Sequence, residues 1–532
     1  MRADRADVVV IGAGAAGAAL TWRLASRGIA VVCLEQGDWL QPSHFASEQT
    51  NYEVQLRRGN LGLFPAVRRR PEDYPIVTAG AGPTDMVMWN GVGGSTVHWE
   101  GHFPRLHPSD FRARRLDGVA DDWPIAYADL EPFYDLNDRN VGVSGVTGDP
   151  ANPRRSPRAT PPLPLGPSGA AVVRGFEKLG WHWWPSDNAI LSRDHDGRPG
   201  CDNRGRCNFG CALRAKASAD VTYWPKALRA GAKLLTRARV KEITVATDGH
   251  VRGVSYFDAK GAVHEQLAKV VVVCCNGIGT PRILLASKSR LYPDGLANSA
   301  GMVGRHFMNH PSRYVEGIFD EPFDAATYGS NPLFSQHFYE TDRARGFVRG
   351  YSLVVYRPGG PASVAWGDSE PVPWGKGHHE EMRRRFAHSV GIAVMAEDLP
   401  EDVNRVELDD KVTDSNGVPA PRVTYRASDN TKALLQHGAN AARQVLEAAG
   451  ARTVFDNGRV MNFAHYMGTA RMGTDPRRSV VNGWHQSHEV PNLFVVDGSS
   501  FTTSAAVNPT STIGALALRA ADGIWNRRQE WV

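Results

Sequence analysis

One stretch near the N-terminus, residues 7–35, constrains the fold of this chain more than any other. The apolar β-branched run Val8–Ile11 is typical of a buried strand in a parallel sheet. It leads into a glycine turn, a helix predicted over Ala18–Ser26 and a second apolar run, Ile29–Leu34. This order of elements predicts a strand–helix–strand unit of the Rossmann type.

The glycine turn has the spacing Gly12-x-Gly14-x-x-Gly17, which is the pattern of dinucleotide binding when a strand precedes it and a helix follows. The first glycine permits the tight turn, the second lets the backbone approach a pyrophosphate, and the third lets the helix pack closely against the strand. The free N–H groups of the helix that follows, and the positive end of its dipole, then face the phosphates.

Glu35 ends the second predicted strand, where it can accept hydrogen bonds from the two hydroxyls of a ribose. A carboxylate at this position repels a 2′-phosphate, so the predicted ligand is FAD or NAD rather than NADP. A glycine-rich turn without any ligand is the alternative, and the complete order of elements favours the dinucleotide.

Composition limits the class of protein. With 532 residues the chain exceeds one hydrophobic core, so two or three domains are expected. The net charge is only +5, and no basic block alternates with aromatic residues, which argues against a nucleic-acid partner. No apolar segment reaches the roughly 18 to 20 residues that span a bilayer, so no membrane insertion is expected. The first strand begins by residue 8, which leaves no room for a signal peptide and predicts a cytoplasmic location.

A second glycine-rich loop follows Trp89. Gly91, Gly93 and Gly94 are followed by the small hydroxyl residues Ser95 and Thr96. Such a backbone can lie flat against a large planar ligand. The next polar side chain, His98, is either a tether or hydrogen-bond donor to that ligand, or a partly buried structural histidine.

The nucleotide-binding domain is predicted to be discontinuous. The apolar run Lys269–Cys275 is a candidate strand that returns to the first sheet, whereas residues 310–460 contain alternating runs typical of antiparallel strands and one helix over Asn430–Ala449. The predicted fold is α/β with two domains: residues 1–310 and 461–532 bind the nucleotide, with inserted loops at 41–90 and 145–200. Residues 311–460 form the antiparallel substrate domain.

The C-terminal part returns to the ligand. His465 precedes a glycine turn, and the apolar run ending at Asp497 predicts one more parallel strand. Asn508 comes directly before Pro509, a residue that favours the first turn of a helix. Asn508 is therefore predicted at a helix N-terminus, above the edge of the sheet.

Three cysteines, Cys201, Cys207 and Cys211, are separated by six and four positions. They are interpreted as buried thiols, as a redox-active pair, or as ligands of an iron–sulfur cluster or zinc. Zinc needs a fourth ligand, and Arg204 and Arg206 are unfavourable neighbours for one. No metal site is predicted.

The motifs together resemble the glucose–methanol–choline (GMC) oxidoreductases, flavoenzymes that oxidise alcohols. The resemblance covers nearly the whole chain. It is carried by GAGAAG with Glu35, NGVGGSTVHW at 90–99, CNGIGTPRILL at 275–285, VGRHFMNHP at 303–311, HYMGTARMG at 465–473 and NLFVVDGSSF…NPTST at 492–512.

This resemblance implies FAD as the cofactor and a catalytic pair, His465 and Asn508. The histidine takes the hydroxyl proton while hydride passes from carbon to the flavin, and the asparagine holds the alcohol oxygen. Imidazole titrates near neutrality, and an amide donor does not ionise. The predicted cofactor-binding residues are Gly12, Gly14, Ala15, Ala16, Gly17, Glu35, Gly93, Gly94, Ser95, His98, Val240, Asp497, Asn508 and Thr510.

Within the family the STVHW form is most similar to pyranose and glycoside oxidases and to FAD-dependent sugar dehydrogenases. His98 falls where pyranose 2-oxidases carry the histidine that is covalently linked to FAD, although the preceding residues differ from theirs. Some of the sugar dehydrogenases hold an iron–sulfur cluster on a nearby cysteine cluster. Cys207 and Cys211 match that spacing, whereas Cys201 does not.

The predicted function is oxidation of a secondary alcohol of a sugar or glycoside, at carbon 2 or 3 of a pyranose, to a ketone. Electrons would pass to O2 or a quinone-like acceptor, in a monomer or small homo-oligomer. The alternatives are a sterol, choline-like or long-chain alcohol, a dehydrogenase subunit with small-subunit and cytochrome partners, and a flavoprotein that only carries electrons. A site rich in Trp and polar groups favours sugars, whereas an apolar tunnel favours the other alcohols.

Overall fold

The strand, glycine turn and helix predicted at the N-terminus are present. The computed structural model describes residues 5–45, 74–79, 86, 88–205, 207–323, 331–357, 360–366, 370–462 and 464–531. Most of the predicted loop at 41–90 lies outside these described residues.

The strands of the described residues, in chain order, are β1 Ala6–Ile11, β2 Val31–Leu34, β3 Val77–Ala79, β4 Trp184–Pro185, β5 Lys233–Leu235, β6 Arg239–Val245, β7 Val251–Phe257, β8 Val263–Val273, β9 Pro311–Ile318, β10 Leu333–Ser335, β11 Tyr351–Tyr356, β12 Ser389–Ala396, β13 Arg405–Thr413, β14 Pro419–Thr424, β15 Thr453–Phe455, β16 Val460–Asn462 and β17 Leu493–Val495. The α-helices are α1 Ala15–Ala25, α2 Ala113–Asp117, α3 Tyr127–Val141, α4 Gly166–Leu179, α5 Tyr223–Arg229, α6 Asn276–Ala286, α7 Pro361–Trp366, α8 His378–Arg385, α9 Asp429–Ala449 and α10 Thr510–Asn526.

The first sheet has the strand order β5-β2-β1-β8-β7-β6, and β17 also pairs with β8. Strand β8 serves two parts of this sheet. Its first half pairs antiparallel with β7, and its second half pairs parallel with β1 and β17. The return of this strand to the nucleotide-binding sheet is therefore confirmed. Because β1, β2, β8 and β17 are parallel, the turns after their carboxyl ends lie along one edge.

The second sheet is antiparallel, in the order β15-β9-β12-β11-β10-β4 with β16 beside β9. Helices α4 and α9 cover one face, where Phe176, Leu434 and Val445 pack in one cluster with Val315 and Val394. Helix α9 forms where the apolar spacing predicts it, and the hydroxyl of Ser428 caps it by accepting a hydrogen bond from the backbone N–H of Thr431 at 3.1 Å. The combination of a parallel sheet with an antiparallel one, predicted from the sequence, is confirmed.

Two segments differ from the sequence interpretation. The predicted loop at 145–200 contains α4, whose apolar side packs on α9, and β4, which joins the second sheet through β10. Strand β14, predicted within the substrate domain, instead pairs with β13 and β3 in a separate three-stranded sheet. Buried Arg282 of α6 fixes this small sheet, since its guanidinium donates to the carboxylate of Asp414 at 2.8 Å and to the carbonyl of Pro419 at 2.7 Å.

Within the described ranges, none of the helices combines the length and the apolar character that crossing a bilayer requires.

Candidate active site

A cavity of about 710 Å³ lies between the carboxyl edge of the first sheet and the uncovered face of the second. Its floor includes the turns after β1 and β2, and its opposite wall includes Ser312 and Tyr314 of β9, Tyr356 of β11 and Ala393 of β12. These residues alternate with the apolar ones that face α4 and α9, as the two-residue period of a strand requires. The cavity therefore contacts both sheets.

The two glycine loops meet at the floor of the cavity. A Cβ on Gly94 would lie 2.7 Å from the Cα of Gly14, and one on Gly17 would lie 2.0 Å from the carbonyl oxygen of Gly12. Neither position has room for a side chain. Gly12, Gly14 and Gly94 line the cavity, whereas the predicted ligand residues Gly17 and Gly93 do not. Gly17 allows the close packing of α1 on the turn.

The start of α1 is prepared for an anion. Gly14 is the N-cap residue, no side chain caps the helix, and the first turn holds no acidic residue. Gly14, Ala15 and Ala16 line the cavity, so the free N–H groups of the first turn are available to a pyrophosphate. This arrangement fits the phosphates of a dinucleotide.

Glu35 lies next to this turn and lines the cavity, with its residue only 5% exposed. One carboxylate oxygen accepts a hydrogen bond from the N–H of Ala13 at 2.9 Å, and the other accepts from the N–H of Gly37 at 2.8 Å. Burial raises the pKa of Glu35 to about 7 against the opposing effect of these donors. The remaining lone pairs suit the hydroxyls of a ribose.

The other predicted cofactor residues are spread along the cavity. Ser95, His98, Val240, Asp497 and Thr510 all line it. Asp497 also joins the turns at the sheet edge, because it accepts hydrogen bonds from the N–H of Asn276 at 3.0 Å and the hydroxyl of Thr280 at 2.6 Å.

His98 is a neutral imidazole in this loop. Its Nδ1 is 3.2 Å from the carbonyl oxygen of Asn208, which accepts only, so Nδ1 carries the proton. Burial lowers the pKa of His98 to about 4. Nε2 is buried without a hydrogen-bond partner among the described residues, on a side chain whose residue lines the cavity.

The predicted catalytic pair lies together. The side-chain nitrogen of Asn508 is 3.4 Å from Nε2 of His465, although the two residues are 43 positions apart. Asn508 precedes Pro509, the N-cap residue of α10, as predicted from the sequence. Both side chains line the cavity.

Two further histidines extend this pair into a chain of hydrogen bonds. Nδ1 of His310 is 2.8 Å from Nδ1 of His465, and Nε2 of His310 is 2.9 Å from the carbonyl oxygen of Ala505. At the other end, Nδ1 of His102 is 2.7 Å from the side-chain oxygen of Asn508. The order is His102, Asn508, His465, His310.

The direction of each hydrogen bond follows from the carbonyl at the end of the chain. A carbonyl only accepts, so Nε2 of His310 carries a proton, and Nδ1 of this neutral ring accepts from Nδ1–H of His465. Nε2 of His465 is then a lone pair that accepts from the amide N–H of Asn508. The amide oxygen accepts from Nδ1–H of His102, and this leaves Nε2 of His102 as a second lone pair.

Burial keeps these three rings neutral. It lowers the pKa of His102 and of His310 to about 4 each. It also holds the pKa of His465 well below its ordinary value of 6.5, with additional lowering from the neighbouring His310 and His102. His465 therefore presents an unprotonated Nε2 at neutral pH, which is the form that a general base requires.

The wall opposite the glycine loops is polar. Glu100 forms side-chain hydrogen bonds with Tyr356 and Asn331, and all three line the cavity. Burial raises the pKa of Glu100 to about 7. Trp99 is part of the same lining, whereas Trp374 is 90% exposed and lies outside it.

Sequence reasoning missed His102, His310 and this polar wall. His310 lies in the quoted motif at 303–311, and His102 follows the motif at 90–99 by three residues. A signal was available in both cases, since each is a histidine beside a recognised motif. Their roles are inferred from the hydrogen bonds that join His102 to Asn508 and His310 to His465.

The three clustered cysteines stand apart from this chain of hydrogen bonds. Cys201, Cys207 and Cys211 are half-buried and form no disulfide. The carbonyl of Cys207 accepts a hydrogen bond from buried Lys216, whose ammonium also donates to the carbonyls of Val97 and Trp99 at 2.9 and 2.7 Å. Lys216 thereby joins this segment to the loop that carries His98. The part of the chain that the structure describes holds no group of three or more metal-ligating side chains.

Comparison with known proteins agrees with this geometry. Two sequence models described as GMC oxidoreductase match residues 6–312 and 400–517. A 2-methyl-1,2-propanediol dehydrogenase of Mycolicibacterium austroafricanum is 44% identical over 99% of this chain and 96% of the relative. The fructose dehydrogenase large subunit of Gluconobacter japonicus is 30% identical over 98% of each.

A solved structure shares the fold. The crystal structure of pyridoxine 4-oxidase from Mesorbium loti superimposes with a TM-score of 0.69 over 98% of this chain and 99% of the other, at 17% sequence identity. The glycine cradle, the matched sequence models and the relatives identify the cofactor as FAD and the reaction as alcohol oxidation. The chain belongs to the GMC oxidoreductase family.

Proposed function

We propose that this FAD-dependent oxidoreductase acts on a vicinal diol unit, in which the oxidised hydroxyl has a second hydroxyl on the neighbouring carbon. The observation that carries this proposal is the polar wall of Glu100, Asn331 and Tyr356 opposite the glycine cradle. Carboxylate, amide and phenol groups bind hydroxyls, and a diol can add hydrogen bonds to those that these three side chains already form with one another, which an apolar alcohol chain cannot do.

Two substrates contain this unit. The first is a small aliphatic diol, supported by the relative that is named a 2-methyl-1,2-propanediol dehydrogenase. Since one cavity of about 710 Å³ has to hold FAD as well as the alcohol, a small substrate is favoured. The second is a sugar or glycoside, oxidised at carbon 2 or 3 of a pyranose to a ketone, supported by the fructose dehydrogenase relative and by Trp99 in the lining.

The residues of the chain divide the reaction between them. FAD, when bound, accepts the hydride from the alcohol carbon. Nε2 of His465 takes the hydroxyl proton, and the amide N–H of Asn508 donates to the alcohol oxygen. The present distance of 3.4 Å between these two side chains is long for a hydrogen bond, so the alcohol oxygen can replace it at little cost.

His310 acts through His465. Its Nδ1 accepts from Nδ1–H of His465, which keeps the lone pair of the base on Nε2, directed into the cavity. When His465 gains the alcohol proton, the same contact stabilises the imidazolium. We further infer a quinone-like electron acceptor rather than O2, because the relative at 44% identity is named a dehydrogenase.

The first experiment follows the visible absorbance of the bound flavin under anaerobic conditions. The alcohols are 2-methyl-1,2-propanediol, glucose, a methyl glycoside and a long-chain primary alcohol, added separately. Bleaching by the diol or by a sugar identifies which of the two substrates is used. Bleaching by the long-chain alcohol alone would overturn the proposal.

The same experiment tests the roles of the residues. His465→Ala should retain FAD and lose about 10²- to 10⁴-fold in the rate of bleaching, since it lacks the general base. His264→Ala, on an exposed histidine outside the cavity, is the control. Unchanged bleaching in His465→Ala would show that His465 is not the base, whereas a natural protein that none of the alcohols bleaches would support a flavoprotein that only carries electrons. Rapid recovery of absorbance in air would contradict the quinone-like acceptor.

A further inference from the structure

We propose that His102 is the residue that recognises the second hydroxyl of the substrate, by accepting a hydrogen bond from it at Nε2. This inference rests on the proposed function, in which a diol unit is oxidised. It adds a specificity-determining residue that is separate from the pair His465 and Asn508.

The position of His102 supports this role. The residue is 4% exposed and lines the cavity, and Nε2 has no hydrogen-bond partner among the described residues. A buried polar atom without a partner is costly, so such an atom on a residue that lines a cavity points to a ligand. The ring is held in place, because it packs edge-on against Phe334 with 5.3 Å between centroids and donates from Nδ1 to Asn508.

The direction of the hydrogen bonds decides what Nε2 can bind. Nδ1 of His102 is 2.7 Å from the amide oxygen of Asn508 and must donate to it, because the amide nitrogen is directed toward His465. The ring is neutral, since burial lowers the pKa of His102 to about 4. Nε2 is therefore an acceptor, and its partner must carry a donor hydrogen.

Asn508 separates two such acceptors. Nε2 of His465 lies on one side of its amide, and the ring of His102 lies on the other. One hydroxyl of a diol can donate to His465 while it accepts from the amide N–H, and the neighbouring hydroxyl can donate to His102. A mono-alcohol, or the methyl ether of the second hydroxyl, has no hydrogen to offer His102.

The test compares three probes of the holoenzyme that share one carbon skeleton: 2-methyl-1,2-propanediol, the methyl ether of its tertiary hydroxyl, and 2-methyl-1-propanol. If the anaerobic experiment selects a sugar, the probes are glucose and its 2-deoxy and 3-deoxy forms. We expect the natural protein to prefer the diol by about 10- to 100-fold in kcat/KM, the effect of one lost hydrogen bond in a buried site.

Two substitutions distinguish the contribution of Nδ1 of His102 from that of Nε2. His102→Asn keeps an amide that can donate to Asn508 in place of Nδ1 but ends before Nε2, so the preference for the diol should fall toward one. His102→Gln extends an amide oxygen to the place of Nε2 and should restore part of the preference. His107→Asn is the matched control, because His107 is a buried histidine of the same segment outside the cavity lining.

The readout is the ratio of kcat/KM for the diol to kcat/KM for the mono-alcohol. Flavin content and the visible spectrum show that each variant is folded. Equal preference for diol and mono-alcohol in the natural protein would overturn the role of His102 while leaving alcohol oxidation intact. An equal loss on diol and mono-alcohol in His102→Asn would also overturn it, because the residue would then act through Asn508 or the flavin. If none of the alcohols bleaches the flavin, the proposed function itself fails.

Discussion

The cofactor end and the catalytic end of the cavity are built in different ways. At the cofactor end, the single continuous segment from Ala6 to Glu35 supplies the strand, the glycine turn, the helix start and the carboxylate. At the catalytic end, His102, His310, His465 and Asn508 come from four distant parts of the chain and are joined to one another by side-chain hydrogen bonds. The first end depends on backbone shape, and the second depends on side-chain placement.

The two ends also respond to burial in opposite directions. Burial raises the pKa of Glu35 to about 7 and lowers the pKa of His102 and His310 to about 4. In both cases the neutral form is favoured, because the charged form loses solvation. The carboxylate at the cofactor end is compensated by backbone N–H groups, whereas the imidazoles at the catalytic end form hydrogen bonds as neutral rings.

The largest effect is expected from a substitution that disrupts the glycine turn at the cofactor end. In Gly17→Ala the new Cβ would lie 2.0 Å from the carbonyl oxygen of Gly12, so the turn must move. We expect loss of bound FAD and a decrease in the free energy of unfolding of about 3 kcal/mol or more. Gly28→Ala, at the other end of the same helix, has φ +82° and open space, and should cost about 1 kcal/mol while FAD is retained.

Flavin content and Tm of the two purified variants make this comparison. A Gly17→Ala protein that holds a full complement of FAD would show that close packing of α1 on the turn is not required.

A smaller effect is expected from breaking the side-chain end. His310→Leu removes the acceptor for Nδ1–H of His465, so the base is no longer held with its lone pair toward the cavity. We expect kcat/KM to fall by about 10- to 100-fold with FAD retained. His310→Asn carries an oxygen near the place of Nδ1 and should recover part of this loss.

Steady-state kinetics at several pH values check this role. If His310→Leu and His310→Asn are equally impaired, the contact with His465 is not the cause.

The smallest expected effect is the pH dependence of kcat/KM, which reports on the burial of His465 at the catalytic end of the cavity. Since the pKa of His465 lies well below 6.5, the residue stays neutral as the pH falls through 6.5, and protonation removes the base only at lower pH. We expect protonation of His465 to cause no loss of kcat/KM between neutrality and about pH 6.5, so a change in that range belongs to Glu100, whose pKa burial raises to about 7. An acid limb centred at or above 6.5 that persists in Glu100→Gln would mean that His465 is solvated rather than buried.

Much of this molecule could be predicted from the sequence, because the signals are local. The spacing of Gly12, Gly14 and Gly17, the apolar strand before them and Glu35 after them state the cofactor end within one continuous segment. The apolar period of α9 and the proline before α10 also predict those helices correctly. His465 and Asn508 came from resemblance to the family, not from spacing.

Prediction was wrong where a local pattern had two tertiary solutions. The alternating pattern of β14 suits any antiparallel sheet, and the burial of Arg282 against Asp414 placed this strand beside α6 instead of in the second sheet. Helix α4 lies in a segment that begins with prolines and arginines, and its packing on α9 stabilises it as a helix.

The sequence by itself determined the dinucleotide-binding unit, since the conformations of glycines and the order of strand, turn and helix are properties of neighbouring residues. Only the tertiary structure placed His310 against the predicted base His465 and left Nε2 of His102 without a hydrogen-bond partner among the described residues. These contacts depend on distances between residues 43 to 406 positions apart. Hydrogen bonds are directional and short-ranged, so no pattern along the chain specifies them before the fold brings their atoms together.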